Sequence, residues 1–487
     1  MNTSAPSAAE LAEERVLAWQ RKLHRWAGED REKRFGDLFN FVCDPATLLV
    51  AWERVKRNRG SRTPGVDGET RRRIERLGVE RVLGELRQAL RDGSYAPQPV
   101  REHAIPKRSG KVRRLGIPAL RDRVVQMAAK LVLEPIFEAD FCPTSYGFRP
   151  GRRAQDAIEE VRYFINPRRS YEWVVEGDVE DCFGSIDHSL LMAELRRRVT
   201  DKRVLRLVKQ FLGAGVMREL GSVTATPSGT PQGAILSPLL ANVALSVLDR
   251  HFERAWRAQT SSQRVRARAQ GQPSCRLVRY ADDFVLLVHG TRAQAEALKE
   301  ETAVLLREQL RLTLSTEKTR ITHVDDGFDL LGFRIVRLAK PGRRPVAYSF
   351  PSKQAFCEVK HRIKVLTKSD RKNLSLDELI RALNPLLRGW TNYHRHAASK
   401  RCFHYLDHYL WSRLVLWLRK KHKRLTWQQV RRRYWKREDW VSPEGRRLYW
   451  PGEVAVTRYR YRGRRIASPW APTGQAGSTC RPGTAAA

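Results

Sequence analysis

Two aspartates stand side by side in "RYADDFVLLVHG" (279–290), where Tyr280-Ala281 and Phe284-Val285-Leu286-Leu287 otherwise read as a buried strand. Ionised carboxylates are costly to bury unless a cation or hydrogen bonds compensate them. One reading is a tight turn, because Asp favours turn positions; the pair in "HVDDGF" (323–328) is expected to be only that. The other is a metal site. A third aspartate, Asp178, lies at the edge of another apolar run, "VVEGDVEDCF". One strand-end carboxylate plus an adjacent pair on a hairpin suits two magnesium ions, which take oxygen ligands at about 2.0–2.1 Å. Two such ions, about 3.5–4 Å apart, activate a hydroxyl and neutralise a leaving pyrophosphate. Without cations, carboxylates this close repel and take up protons. The dipeptide alone leaves both readings open.

The elements that must hold these residues are legible. "EWVVEGDVEDCF" (172–183) predicts a strand end and "SLLMAELRRRV" (189–199) the helix after it. "CRLVRYADDFVLLVHG" predicts two strands joined at the aspartates. "TRAQAEALKEETAVLLREQL" (291–310) predicts an amphipathic helix with a Thr cap, and "LTLSTEKTRITHV" and "FDLLGFRIV" predict strands again. Before them, "NRGSRTPGVDGET" (58–70) breaks a helical N-terminal region. After Pro351 the chain turns helical: Phe403, Leu406, Leu410, Leu414 and Trp417 form one apolar stripe.

A chain of 487 residues, 41% hydrophobic and 30% charged, is globular rather than disordered. Its 92 Lys and Arg against 53 Asp and Glu leave a net charge of +39, a field that gathers polyanions. No apolar run approaches the roughly 20 residues of a spanning helix, so no membrane is expected. The N-terminus lacks a signal-peptide pattern. Seven cysteines without a C-x-x-C read as reduced, half-buried thiols of a cytoplasmic protein. Nucleic acid is the expected partner.

The motifs then carry a resemblance. "RYADDFVLLV" resembles the Y-x-D-D block of reverse transcriptases, and "VVEGDVEDCFGSIDH" the block with their first catalytic aspartate. "GTPQGAILSPLLANVAL" (229–245) is similar to the P-Q-G block beside the incoming nucleotide. "IPKRSGKVRRLGIPALRDRVVQ" (105–126), "SYGFRPGRRAQDAI" (145–158), "LSTEKTRI" (314–321) and "FDLLGF" (328–333) resemble further blocks of the group II intron branch, in its order. "LNPLLRGWTNYHRHAASKRCFHYLDHYLWSRLVLWLRKKH" (383–422) resembles its maturase domain.

The resemblance implies an α+β right-hand polymerase. Residues 1–95 would be an N-terminal extension and the start of the fingers, 96–345 fingers and palm, and 346–425 the thumb or maturase domain. Residues 426–487 would be a basic DNA- or RNA-contacting segment ending in a disordered tail. Asp178, Asp282 and Asp283 would ligate two Mg²⁺, with Val179 offering a backbone carbonyl. Lys107 and Arg113 would meet the triphosphate, or else template phosphates. Gln232 would touch the nucleotide or its pairing partner, or be an ordinary turn residue. Phe183, five residues after Asp178, stands where the family places a bulky side chain under the sugar. Lys318 would reach the primer strand or stay solvated. One departure stands out: where the family has an aspartate, this chain has Gly184, which is not a ligand position. Asp187 and His188 are expected to cap the following helix.

From 356 to 470, Arg and Lys alternate with Trp, Tyr and His, as stacking on unpaired bases and tracking phosphates require. Arg388, Arg395, Lys400 and Arg401 are expected to face outward toward RNA, with Trp390 in the core. His404 and His408 lack a third ligand for zinc. Nothing after 470 supplies the family's H-N-H nuclease residues, so no DNA cleavage is expected. The expected partners are group II intron RNA, an RNA template with a DNA primer, target DNA and dNTPs, in a cytoplasmic or nucleoid-associated ribonucleoprotein; a homodimer is left open. The function implied is RNA-directed DNA synthesis, splicing assistance and intron mobility. Its rivals are a domesticated reverse transcriptase of bacterial defence or repeat acquisition, and a non-catalytic splicing factor.

Overall fold

The fold comes from a computed structural model that describes residues 6–106, 112–218, 222–436 and 439–471. Strand β1 (Val100–Pro106) pairs antiparallel with β2 (Val112–Ile117). Strand β3 (Trp173–Gly177) belongs to a second sheet, while the short β4 (Val216–Met217) and β5 (Val223–Thr224) extend the first in the order β2-β1-β4-β5. Strands β6 (Ser274–Tyr280), β7 (Asp283–His289) and β8 (Arg320–His323) complete the second sheet in the order β6-β7-β3-β8. A third sheet joins β9 (Phe328–Leu330), β10 (Phe333–Lys340) and β11 (Arg343–Pro351).

Both faces of the second sheet are covered, so its strands read as continuous apolar runs rather than alternating ones. Val174, Val285 and Leu287 pack into one core with Ile158, Val161 and Phe164 of the helix Ala154–Ile165. Their neighbours Val175, Phe284, Leu286 and Val288 enter another, with Leu245 and Leu248 of Ser237–Arg257 and Leu305 and Leu306 of Arg292–Leu310. Successive side chains point to opposite faces, which divides them this way. Thr291 and Gln294 form the capping box that starts Arg292–Leu310, and Arg311, at φ +53°, ends it. Residues 312–319, expected as strand, are irregular with a single bridge at Leu314.

The N-terminal helices Ala8–Glu29 and Pro45–Arg57 build a separate core on Leu120–Asp140, a helix buried nearly all round. Beyond β11, the helices Lys353–Leu366, Leu376–His394, Lys400–Lys421 and Trp427–Tyr434 form a bundle. The predicted stripe is its centre: Phe403, Leu406, Leu410, Leu414 and Trp417 are all fully buried. Trp390 is only half-buried, at the edge of that core.

The C-terminal segment does not stand apart as charge suggested. Val430, Tyr434, Trp440 and Leu448 lie in the bundle's own core. The chain then returns across the molecule. Arg462 grips Asp156 with two bonds of 2.8 and 2.6 Å, Tyr461 stacks on Tyr163 at 4.5 Å, and Trp470 Nε1 donates to Gln20 of the first helix at 3.2 Å. The tail from 472, with Cys480, lies outside the described residues. Among these, six cysteines are free; Cys357 is exposed rather than half-buried. No described helix is long and apolar enough to cross a membrane.

One joint carries a pH signature. His394, 2% exposed, sits against Phe333 and Trp390 with ring centroids 4.8 and 4.6 Å away, and its Nδ1 has no partner among the described residues. Burial pushes its pKa down to about 4. The folded value lies below the unfolded one, so this contribution is complete above about 6.5 and is lost as pH falls toward 4. At pH 5 the loss should be about 2 kcal/mol. Melts of the parent and of His394→Phe at pH 7 and 5 check this: the variant should lose less on acidification, and equal losses would clear His394.

Candidate active site

The placement of the three aspartates follows from strand pairing. β3 pairs with β7 as far as Gly177 and Phe284, so Asp178 and Asp283 are the next residues on the two chains, near enough for Asp178 to raise the Asp283 pKa. Gly177 is needed there, because a Cβ would fall 2.1 Å from the Phe284 ring. β6 and β7 pair up to Tyr280 and Asp283, leaving Ala281 and Asp282 as a two-residue hairpin loop. Ala281 has φ +61°. A positive φ at the first central position is the sign pattern of a type II′ turn, which favours Gly there, so an alanine holds this turn under strain. The turn reading of the dipeptide therefore holds, and the turn also brings the pair near a third carboxylate, Asp178.

Asp178 accepts a hydrogen bond from Lys318 Nζ at 2.6 Å. That bond and the neighbouring carboxylates raise the Lys318 pKa. Asp283 reaches solvent, yet protein crowds its other sides; burial, then Asp282 and Asp178, pushes it up to about 6. Val179 faces Leu314 while Glu180 N–H donates to the Thr313 carbonyl and Ser315 N–H to that of Asp178. This is the non-hydrogen-bonded type of antiparallel pair, so the Val179 carbonyl is not used in it. Cys182 is no competing thiolate, since burial pushes its pKa up to about 12.

Two further loops close on this group. Gly229, at φ +84°, lies against the Cys182–Ser185 helix so tightly that a Cβ would stand 2.5 Å from the Gly184 carbonyl. Thr230 N–H donates to the Phe183 carbonyl at 2.7 Å, and Gly116 N–H of β2 to the Gln232 carbonyl at 2.9 Å. Phe183, Gln232 and β2 are therefore neighbours. Arg113 is exposed on β2 without an ion-pair partner among the described residues; Lys107 lies outside them. Phe148 stands edge-on to Phe183 at 6.2 Å, 48% exposed and at φ +58°, a signal invisible in the sequence. The Gly184 departure has a physical reason: a Cβ at 184 would lie 2.2 Å from Asp181 Oδ2, so Asp181 occupies that space. Asp187 caps its helix through Leu190 N–H at 2.9 Å, whereas His188 instead bonds the Gly229 carbonyl at 2.6 Å.

The four cations expected to face RNA divide by what holds them. Arg388 and Arg401 are exposed, and Arg388 lines a cleft of about 470 Å³ with Arg381, Arg446 and Arg447. Lys400 is exposed as well, but its ammonium is already engaged, donating to the Gly452 carbonyl at 2.5 Å. Arg395 is half-buried with Nε unpartnered among the described residues, and its carbonyl receives Thr457 N–H at 3.0 Å. Charge alone cannot tell a cation that solvates from one that caps carbonyls. A cavity of about 760 Å³ lined by Arg198, Arg250 and Arg254 includes none of the three aspartates.

The reverse transcriptase (RNA-dependent DNA polymerase) family matches residues 105–335, and the group II intron maturase-specific domain matches 357–435. Protein YkfC of Escherichia coli K12 is 40% identical over 359 residues, 70% of this chain and 93% of that protein. The group II intron-encoded protein LtrA of Lactococcus lactis is 30% identical over 366 residues, 66% of this chain and 60% of LtrA. This chain belongs to the group II intron reverse transcriptase/maturase family. It thus spans less than two thirds of LtrA's length. Telomerase from Candida albicans, in complex with a fragment of telomeric RNA, matches with a TM-score of 0.37 and 12% identity over 68% of this chain and 63% of that one.

The group II reverse transcriptase has the α+β right-hand polymerase fold, and its enzymatic class is RNA-directed DNA polymerase. Reverse transcriptases use divalent metal ions, and the residues fit one. Among the described residues no three His, Cys, Asp or Glu side chains close into a cage. Magnesium does not ask for one: it keeps several waters and binds through one or two carboxylates plus substrate phosphates. Three carboxylates, an unused carbonyl and a lysine ammonium already drawn to Asp178 make a site chemically suited to a hard cation.

Proposed function

We propose that Asp178, Asp282 and Asp283, with the Val179 carbonyl, hold two Mg²⁺ and copy RNA into DNA on a primer, and that the same chain binds its group II intron RNA, assists splicing and supports insertion into target DNA. The observation that supports this is the β3–β7 pairing, which ends at Gly177 and Phe284 and leaves Asp178 and Asp283 as the next residues, beside the Asp282 turn. When bound, the ions would activate the primer hydroxyl and neutralise the leaving pyrophosphate. The chain's own groups orient and select. Lys318 holds the Asp178 carboxylate through its ammonium. Arg113 is placed to meet nucleotide phosphates, Gln232 lines the nucleotide's side of the cleft, and Arg388 and Arg401 offer guanidinium groups to RNA phosphates.

Phe183 is proposed to exclude ribonucleotides, with its ring where a 2′-hydroxyl would sit and Phe148 against its edge. Phe183→Ala should lower discrimination by about 10²-fold or more. Primer extension with each nucleotide type measures it, and unchanged discrimination would make Phe183 a packing residue.

The reading as a whole is tested by giving purified protein an RNA template, a DNA primer, dNTPs and Mg²⁺, and separately a precursor RNA carrying the intron. DNA synthesis together with faster splicing is expected. Splicing without synthesis would favour a non-catalytic splicing factor, and synthesis without splicing a domesticated reverse transcriptase.

A further inference from the structure

Three stretches distant in sequence meet behind the aspartate turn. Arg279, the last residue but one of β6, is fully buried, at 0% exposure. Its guanidinium has five N–H groups, and each finds an acceptor. Nε and Nη2 donate to the two carboxylate oxygens of Asp249 at 2.7 and 2.5 Å. Nη1 donates to Asn242 Oδ1 at 2.9 Å and to the Ala281 carbonyl at 2.7 Å, and Nη2 also to Ser145 Oγ at 2.8 Å. Asn242 Nδ2 in turn donates to the Gly147 carbonyl at 2.9 Å. Gly147 lies so close to the turn that a Cβ would stand 2.2 Å from the Ala281 nitrogen.

The carbonyl that Arg279 grips belongs to the residue at φ +61°. An L residue keeps such a conformation only where its surroundings over-determine it. Stability alone does not ask for this arrangement, because well-packed apolar residues of similar volume replace buried ion pairs without loss. What an apolar pair would not supply is a fixed bond to the turn.

We infer that Arg279, held by Asp249, Asn242 and Ser145, is the positioning residue of the aspartate turn. It fixes the Ala281 peptide and so sets where the Asp282 and Asp283 carboxylates stand. This rests on the proposal that those aspartates hold the metal ions. Arg279 touches neither metal nor substrate. Its effect is on placement, and a shift of about 1 Å at reacting groups can cost about 10²-fold in rate.

The test uses the full-length protein with Arg279→Lys, which keeps the charge but not the planar fork, and with Arg279→Met/Asp249→Leu, which removes both charges of the pair. Mn²⁺ binding followed by electron paramagnetic resonance should weaken, and kcat for one-nucleotide extension should fall about 10²-fold. The KM for primer–template, the RNA affinity and the circular dichroism spectrum should stay at parent values. Parent-like Mn²⁺ affinity and kcat in either folded variant would overturn the inference. If neither folds, Asn242→Ala and Ser145→Ala decide, since both leave the ion pair in place: lowered kcat with weaker Mn²⁺ binding supports the clamp, and parent values in both overturn it. Asp282→Ala runs alongside. If it too binds Mn²⁺ and extends primers like the parent, the metal reading fails rather than the clamp.

Discussion

Replacing Asp282 and Asp283 with Ala should reduce DNA synthesis to background and leave splicing assistance near the parent level. The double change removes two proposed ligands and raises the net charge by two from +39. The fold should survive it, because burial first, and then the nearby Asp282 and Asp178, push the Asp283 pKa up to about 6, so its ionised carboxylate is disfavoured where it stands. Lys318 keeps its bond to Asp178 in the variant. The exposed cations proposed for RNA, Arg388 and Arg401, lie on the helical bundle and are untouched. One variant assayed both ways, beside a thermal melt, decides. Retained synthesis would remove the aspartates from catalysis, and loss of both activities in a folded variant would tie RNA folding to the sheet that carries them.

RNA affinity should fall steeply with salt. If six to ten phosphates are neutralised, the loss between 50 and 200 mM salt is on the order of 10³–10⁵-fold. The structure sharpens which cations enter that slope. Arg401→Ala should reduce it by about one, whereas Lys400→Ala should leave it nearly unchanged and loosen the segment around Gly452 instead. Filter binding across a salt series measures both. A flat titration would mean that charge is not the main source of affinity.

What the sequence made legible is what periodicity and local chemistry encode. The hairpin at Asp282, the capped helix after Thr291 and the buried stripe from Phe403 to Trp417 each depend on neighbours within a few residues. What it hid depends on partners far along the chain. Arg276 and Arg279 look misplaced in an apolar strand until Glu160, Glu253 and Asp249 arrive from two helices to pair with them. The only trace was two cations in a run otherwise apolar on both faces. Two more partners were hidden for the same reason: the Gly452 carbonyl that engages the ammonium of the exposed Lys400, and the Thr457 backbone that binds the carbonyl of the half-buried Arg395. The basic C-terminal segment read as a separate unit because charge was visible and the burial of Trp440 and Leu448 was not.

The central claim is that the three aspartates act together as the metal-holding group of an RNA-copying enzyme. Asp178 is the sharpest test, since it follows the end of β3 and does not belong to the β6–β7 hairpin that carries the pair. The measurement is incorporation of a single deoxynucleotide on an RNA template across a magnesium titration, for the parent and for Asp178→Asn. The parent should rise to a plateau, and the variant should stay at background at every concentration while binding primer–template as the parent does. A variant that reached the parent's plateau would contradict it.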